Sequence, residues 1–212
     1  MNTLSTSEVT MSENAAGRSG RPGRGRRPAA EVRAAVLAAA GDLLLRDGLR
    51  ALTFDRVAKE AGVSRTTLHR WWPSPGALAA EAYFARSRPV LDFPDTGDLR
   101  ADLITQLRAF VRWLKDEGAE RPVAELVGAA QTDPDVARAW SENYALPRRE
   151  LARERLRVAQ RQGRLRADAD LDIVVDQLWG ACYHRLLVLG TPFDASLVPR
   201  LVDHALHGAA PR

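Results

Sequence analysis

Apolar residues recur at three- and four-residue spacing along almost the whole chain. Val32, Val36, Ala40, Leu43 and Leu44 share one face of a helix that starts near Ala29, just behind Pro28, and stops at Asp47-Gly48. Phe54, Val57, Ala58 and Ala61 mark a second helix, with Thr53 as its N-cap and Gly62 as its end. Val63 and Ser64 lead straight into a third. In it Leu68 and Trp72 point one way while Arg65, Thr66, His69 and Arg70 point elsewhere. Pro73 keeps Trp72 out of the helical region and stops that helix. Ser74 and Pro75 then read as N-cap and first residue of a fourth helix running to about Ser87, with Leu78, Ala82 and Phe84 or Ala85 inward.

The segment RPVLDFPDTGD, with two prolines and a glycine, interrupts the pattern and places a domain boundary near residue 90. Helical spacing resumes with Leu99, Leu103, Leu107, Phe110 and Leu114 behind an Asp98 cap, and stops at Gly118. It returns with Val123, Leu126, Val127 and Ala130 after Pro122, then with Val136, Ala137, Trp140 and Tyr144 after Asp133-Pro134. Pro147 breaks or kinks that last helix. Its continuation carries an inner stripe of Leu151, Val158 and Ala159 as far as Gly163. Asp170 opens the most apolar segment, 171–189, in which Val174, Val175, Leu178, Trp179, Ala181, Cys182, Leu186, Leu187 and Val188 cover nearly every face. Gly190 and Pro192 end it, and 195–207 forms a last helix with Leu197, Val198, Leu201 and Leu206. No strand-like alternation and no internal repeat interrupts this, so the expected fold is all-α with about nine helices.

Two helices joined by so short a glycine-containing turn form a helix-turn-helix, in which the second helix enters the DNA major groove. The exposed side of 65–70 is cationic and hydroxyl-bearing, as a groove-reading face requires. Charge agrees. Residues 1–90 carry 14 Arg and Lys against 8 Asp and Glu, whereas 91–212 carry 17 against 19. The positive excess therefore lies on the helix-turn-helix half, an electrostatic footprint for a polyanion. Residues 1–28 read as a disordered basic arm. Its stretch RSGRPGRGRRP holds five arginines among glycines and prolines, and Arg24, Arg26 and Arg27 are suited to a DNA minor groove.

The run RRELARERLRVAQRQGRLR holds eight arginines and invites a second nucleic-acid surface. Glu150 and Glu154 can pair with Arg153 and Arg157 at i,i+3, which makes a solvated, ion-paired helix face the better reading. The polar start does not read as a secretory leader, and no apolar run approaches the length of a membrane span. One cysteine excludes an internal disulfide and a Cys-rich zinc site and suits a reducing, cytoplasmic setting.

A helix-turn-helix as the second and third of a series of helices, followed by an all-helical remainder, resembles the TetR family of transcriptional regulators. The likeness is carried by AGVSRTTLHRWWPSPGAL, covers residues 30–85 closely, and extends more loosely to DLRADL, QTDPDVA and QGRLRADADL. The resemblance implies a helix-turn-helix DNA-binding domain with linker helix over 29–90 and a helical effector-binding and dimerisation domain over 91–212. It places DNA contacts on Thr53, Ser64, Arg65, Thr66, Thr67, His69 and Arg70. The chain departs from the family pattern in carrying His69 for the usual tyrosine, Trp71 for a histidine or tyrosine, and Pro75 for a phosphate-binding lysine. The implied activity is ligand-responsive repression at a palindromic operator of double-stranded DNA, without a cofactor or bound metal and without catalysis.

Two further expectations concern partners. A helix apolar on most faces needs a second burial partner, so 171–189 and 195–207 are expected to pair with their two-fold mates in a homodimer, with Leu186 facing outward. A small-molecule effector needs an apolar, aromatic pocket between helices. Phe110 with Trp113, Trp140 with Tyr144, and Trp179 with Tyr183 each present two rings at i,i+3 or i,i+4. Few fixed charges lie near them in sequence, so an apolar or aromatic, weakly polar ligand is expected. The plainer alternative is that these rings are only core.

Rival functions fit less well. An enzyme would need a nucleophile elbow, a phosphate loop or paired carboxylates, and none is present. Cys182 and His184 lie two apart on a helix and do not face each other. His204 and His207, at i,i+3, read as a polar helix end rather than a metal site. A nonspecific architectural DNA binder would not need some 120 residues of helical domain behind its reader.

Overall fold

The computed structural model describes residues 27–191 and 193–208. Arg24, Arg26 and Pro192 lie outside the described residues. Those described form an all-α fold of nine helices, counting continuous helical runs as one. The helices are α1 (Ala29–Asp47), α2 (Phe54–Ala61), α3 (Arg65–Trp71), α4 (Pro75–Ser87), α5 (Leu99–Lys115), α6 (Glu120–Ala130), α7 (Pro134–Trp140), α8 (Leu146–Arg161), α9 (Leu171–Val175), α10 (Ala181–Tyr183) and α11 (Leu197–His207). A single 3-10 turn, Leu49–Ala51, joins α1 to α2.

Side-chain caps start most of these helices where the sequence places them. Thr53, Ser64, Ser74, Asp98, Asp133 and Asp170 each accept a backbone N–H of the first turn. Each such cap stabilises its helix by about 1 kcal/mol. Gly62, at φ 65° and ψ 41°, ends α2 in the left-handed conformation and lets the chain turn at once into α3.

Two long helices change pitch midway. α7 runs into α8 through a π-helical turn, Ser141–Ala145, and α9 runs into α10 through another, Asp176–Gly180. A third, His184–Leu189, completes the same continuous helix. Pro147 accounts for the first of these. It has no N–H to offer the carbonyl four residues back, and the wider turn just before it absorbs the mismatch. The expected kink at Pro147 is thus a change of winding, with no break in the helix.

The buried core is continuous from Val36 to Val202. At its centre is α4, which buries Ala77, Leu78, Ala79, Ala80, Ala82 and Tyr83 and so has no single inner stripe. One side packs on α1, where Gly41 meets the Arg86 side chain. The other packs on α7, where a Cβ on Gly76 would lie 2.5 Å from Val136 Cγ2. Enclosure from both sides is why Tyr83 is fully buried, while Phe84 is half-buried and Ala85 exposed.

The arginine-rich helix α8 also differs from expectation. Its inner face is Ala152, Arg155, Leu156 and Ala159, and Leu151 is exposed. Arg155 is buried against Asp102 of α5 at 2.6 Å, and Asp102 also accepts from the backbone N–H and hydroxyl of Thr96. Burial by itself would raise the Asp102 carboxyl, but the Arg155 and Thr96 hydrogen bonds outweigh it and hold the carboxyl below its ordinary range. The rest of the helix does form an ion-paired face: Arg153 pairs with Glu150, and both Arg157 and Arg161 pair with Glu154.

Candidate functional site

The α2–α3 pair presents Arg65, Thr66, His69 and Arg70 to solvent while Leu68 and Trp72 anchor the motif in the core. Its hydroxyls have structural duties. Thr53 Oγ1 accepts from Arg56 N, and Ser64 Oγ accepts from Thr67 N at 3.2 Å and lies 2.9 Å from Thr67 Oγ1. A capping oxygen that accepts still has its own O–H to donate, so Thr53 can cap α2 and donate to a phosphate at the same time. Arg65 is 3.1 Å from Asp55 on α2, an exposed pair that no sequence pattern suggested. His69 sets its ring edge against Phe54, centroids 4.6 Å apart, which fixes the ring at the surface. Arg70 lies over the Trp71 ring at 5.6 Å. Arg27 is exposed at the start of α1.

α3 is tied to the rest of the molecule through its C-terminal tryptophan. Trp72 Nε1 donates to Glu81 Oε2 at 2.8 Å, and Arg33 of α1 donates to both Glu81 oxygens at 2.6 and 2.7 Å. The Arg33 guanidinium also stacks over the Trp72 ring at 4.7 Å. A second tie lies at the end of α1. There Arg121 of α6 donates to the Asp47 carbonyl, and Glu125 accepts from Leu49 N at 2.5 Å. Gly48, at φ 84°, sits between these two side chains, where a Cβ would come within 2.5 Å of Arg121.

Behind α4 lies a cavity of about 420 Å³ among α5, α6, α8 and the three π-helical turns. Phe110, Trp140, Tyr144, Trp179 and Tyr183 line it, as their spacing suggested, and Phe93 adds a ring from the segment before α5. Trp113 does not. The i,i+3 step from Phe110 turns it toward α4, where its Nε1 donates to the Tyr83 hydroxyl at 2.9 Å in the core. Tyr83 packs in turn on the Tyr144 ring, and Tyr144 lies 3.2 Å from Tyr183, oxygen to oxygen. Burial raises all three phenols above their ordinary value. Tyr83 thereby joins the helix that follows the reader to the cavity wall, with ring centroids 5.8 Å from Trp140 and 5.1 Å from Tyr144.

The cavity is also more charged than the sequence suggested. Arg148, Arg149 and Asp176 line it. Pro147 and the π-helical turn set the register that turns Arg148 inward, and composition gives no sign of that. Arg149 is fully engaged, with Asp172 at 2.9 Å and Asp176 at 2.5 Å.

Two family models match parts of this chain. A family model described as bacterial regulatory proteins of the tetR family matches residues 36–82, and one described as a tetracyclin repressor-like C-terminal domain matches residues 93–205. YdeS, an uncharacterised helix-turn-helix-type transcriptional regulator of Bacillus subtilis (strain 168), is 34% identical over 175 residues, which are 82% of this chain and 87% of YdeS. The DNA-binding transcriptional repressor TetR of Mycobacteroides abscessus is 32% identical over 177 residues, 82% of this chain and 90% of its own. Among solved structures, the TetR family transcription regulator SCO0332 superposes with a TM-score of 0.81 at 53% identity, covering 85% of this chain and 100% of that one.

Proposed function

We propose that this chain, which belongs to the TetR family of DNA-binding transcriptional regulators, is a ligand-responsive repressor that binds a palindromic operator as a homodimer. The observation that carries the reading is the position of α4. Its first half holds the reading helix through Glu81 and Trp72, and its Tyr83 is part of the aromatic wall behind the cavity. Residues 29–90 act as the reading head and the remaining helices as the sensor. A ligand that favours one packing of Trp140 and Tyr144 against Tyr83 favours one position of α4, and so one separation of the two heads in a dimer. The grip of Arg121 and Glu125 on the end of α1 couples α6, whose Val127 lines the cavity, to the same head.

Within the head, Arg65 reads a guanine through its planar fork, and Thr53, Thr66, Thr67, His69 and Arg70 hold the phosphates. The similarity to a DNA-binding repressor supports repression as the outcome. The test is to recover and sequence the DNA fragments that the purified protein retains. An enriched inverted repeat is expected, with half-sites about 34–36 Å apart centre to centre. Equal affinity for random DNA at physiological salt would remove the reading, because specific binders exceed their own nonspecific affinity by roughly 10³-fold or more.

A further inference from the structure

The Arg148 guanidinium lines an aromatic cavity without a carboxylate in ion-pair range among the described residues. Its neighbour Arg149 takes Asp172 and Asp176, and Arg153 takes Glu150 and Asp172. Arg148 instead lies over the Phe93 ring at 5.8 Å, and its Nη1 is buried with no protein acceptor. Asp92 and the hydroxyls of Tyr83, Tyr144 and Tyr183 lie near enough to favour its charge, but burial works against it and prevails. A guanidinium does not neutralise in a protein, so this is a desolvated cation short of a counter-charge.

The hydroxyls beside it are short of an acceptor too. Trp113 can only donate, so Tyr83 accepts from it in the core. Tyr144 and Tyr183 share one hydrogen bond, which uses one of their two protons. The other is on Tyr144 or Tyr183, and both line the cavity. Cation and spare O–H therefore lie in one wall, and both call for an acceptor, preferably a charged one.

We propose that the effector is a carboxylate on an aromatic or extended apolar body, its two oxygens held by the Arg148 fork and the spare phenolic O–H while the rings of Phe93, Phe110, Trp140 and Trp179 enclose the body. This rests on the effector-cavity reading given above and narrows it to a ligand class. A planar anion matches guanidinium geometry with two parallel charge-assisted hydrogen bonds, and the low-polarity wall strengthens both. Neutral compounds of the same body fill the cavity but leave the cation unpaired.

The test uses the full chain and matched probes: 4-phenylbutyrate, 2-naphthylacetate and decanoate, each beside its primary amide. Binding is read by titration calorimetry and by the fluorescence of the cavity tryptophans. At least one acid is expected to bind about tenfold or more tighter than its amide, the scale of a charge-assisted bond. Arg148→Met should bring that acid-to-amide ratio close to one, and Arg148→Lys should leave it in between. Thermal shifts keep the test independent of one variant's behaviour, since the acid, and not the amide, should raise the melting temperature of the wild-type chain. Amides that match their acids, or an Arg148→Met chain that keeps the acid preference, would overturn the carboxylate assignment and leave the effector cavity standing. Binding by neither acids nor amides would overturn the cavity reading itself, and this assignment with it.

Discussion

The indole N–H of Trp72 donates to the Glu81 carboxylate at 2.8 Å, and Arg33 Nη2 donates to both oxygens of the same carboxylate. One acidic side chain on α4 thus holds the end of the reading helix and the first helix together. Trp72 is 3% exposed, so its N–H has no ready replacement in water. Glu81→Ala is expected to lower the stability of the full chain by about 1–3 kcal/mol, the scale of a buried donor left unpaired. Glu81→Gln keeps an acceptor for Trp72 and should cost less. Denaturant titration of the three chains gives the order, and equal midpoints would show that the network contributes nothing.

Arg65 stands 3.1 Å from Asp55, with both side chains largely in solvent. A pair so exposed does little for stability, but it holds the guanidinium beside α2 before DNA arrives. Arg65→Ala is expected to cost about 1–3 kcal/mol at the operator and to relax the preference at one base pair per half-site. Asp55→Asn should act oppositely, tightening binding to every sequence by removing a negative charge near the phosphates. Selection from randomised operators checks both. A uniform loss across sequences for Arg65→Ala would reassign it to a phosphate.

Asp102 and Arg155 form a buried pair whose acidic side gives it a pH signature. The folded carboxyl lies below its ordinary value, so its contribution is complete above the unfolded value of about 4 and is lost as pH falls through the lower folded value. Asp102→Asn leaves the buried Arg155 guanidinium with only the largely exposed Asp95, 3.3 Å away, and should cost less than the roughly 3–5 kcal/mol of a wholly unpaired buried charge near neutrality. The variant should also lose part of the wild-type fall in stability below about pH 4. Replacing both partners together, Asp102→Leu with Arg155→Met, should recover much of the loss. Melting curves across pH test each step, and an Asp102→Asn chain as stable as wild type would refute the pair's role.

Local signals in the sequence located the helices and the reader because their causes are local. Thr53, Ser64 and Ser74 cap, Gly62 turns, and Pro73 and Pro75 punctuate, each acting within one turn of chain. Ring pairs at i,i+4 also found most of the rings in the cavity wall. What escaped depends on tertiary context. Trp113 left the wall because α4 offers it the Tyr83 hydroxyl. Arg148 entered it because a π-helical turn shifts the register of α8 against α7. Arg155 reads as one more arginine in a solvated run until Asp102, 53 residues earlier, is beside it.

Cys182 offers a direct check on packing behind the cavity. Its thiol is 1% exposed, donates to the Leu178 carbonyl at 3.4 Å, and is pushed up to about 12 by burial. The thiolate is the reactive form, so alkylation by iodoacetamide at pH 8 should be slow in the native chain and rapid in denaturant. Fast native labelling would mean that this helix opens.

The last prediction concerns the two-fold interface. The continuous helix from Leu171 to Leu189 keeps Val174, Val175, Leu178 and Cys182 inside, yet leaves Ile173 53% exposed and Val188 69% exposed. Ile173, Gln177, Gly180, His184 and Val188 follow one another at intervals of four, three, four and four, so they form one face along the whole helix, and every one of them is exposed. Apolar side chains at both ends of a face with a glycine at its middle suit close approach of a second helix. In a two-fold dimer that helix is the same face of the mate, flanked by the partly buried Leu197 and Leu201 of α11. Leu186, the outward position expected from sequence, is instead half-buried beside Cys182 and Phe193 in a small cleft, so a charge there would disturb the subunit's own packing. Val188→Arg is the cleaner probe. It should shift the sedimenting species from dimer to monomer at micromolar concentration with little change in helical content. Operator affinity should fall as well, since a single head engages one half-site only. An unchanged dimer in this variant and in Ile173→Arg would mean that the mates meet through another face.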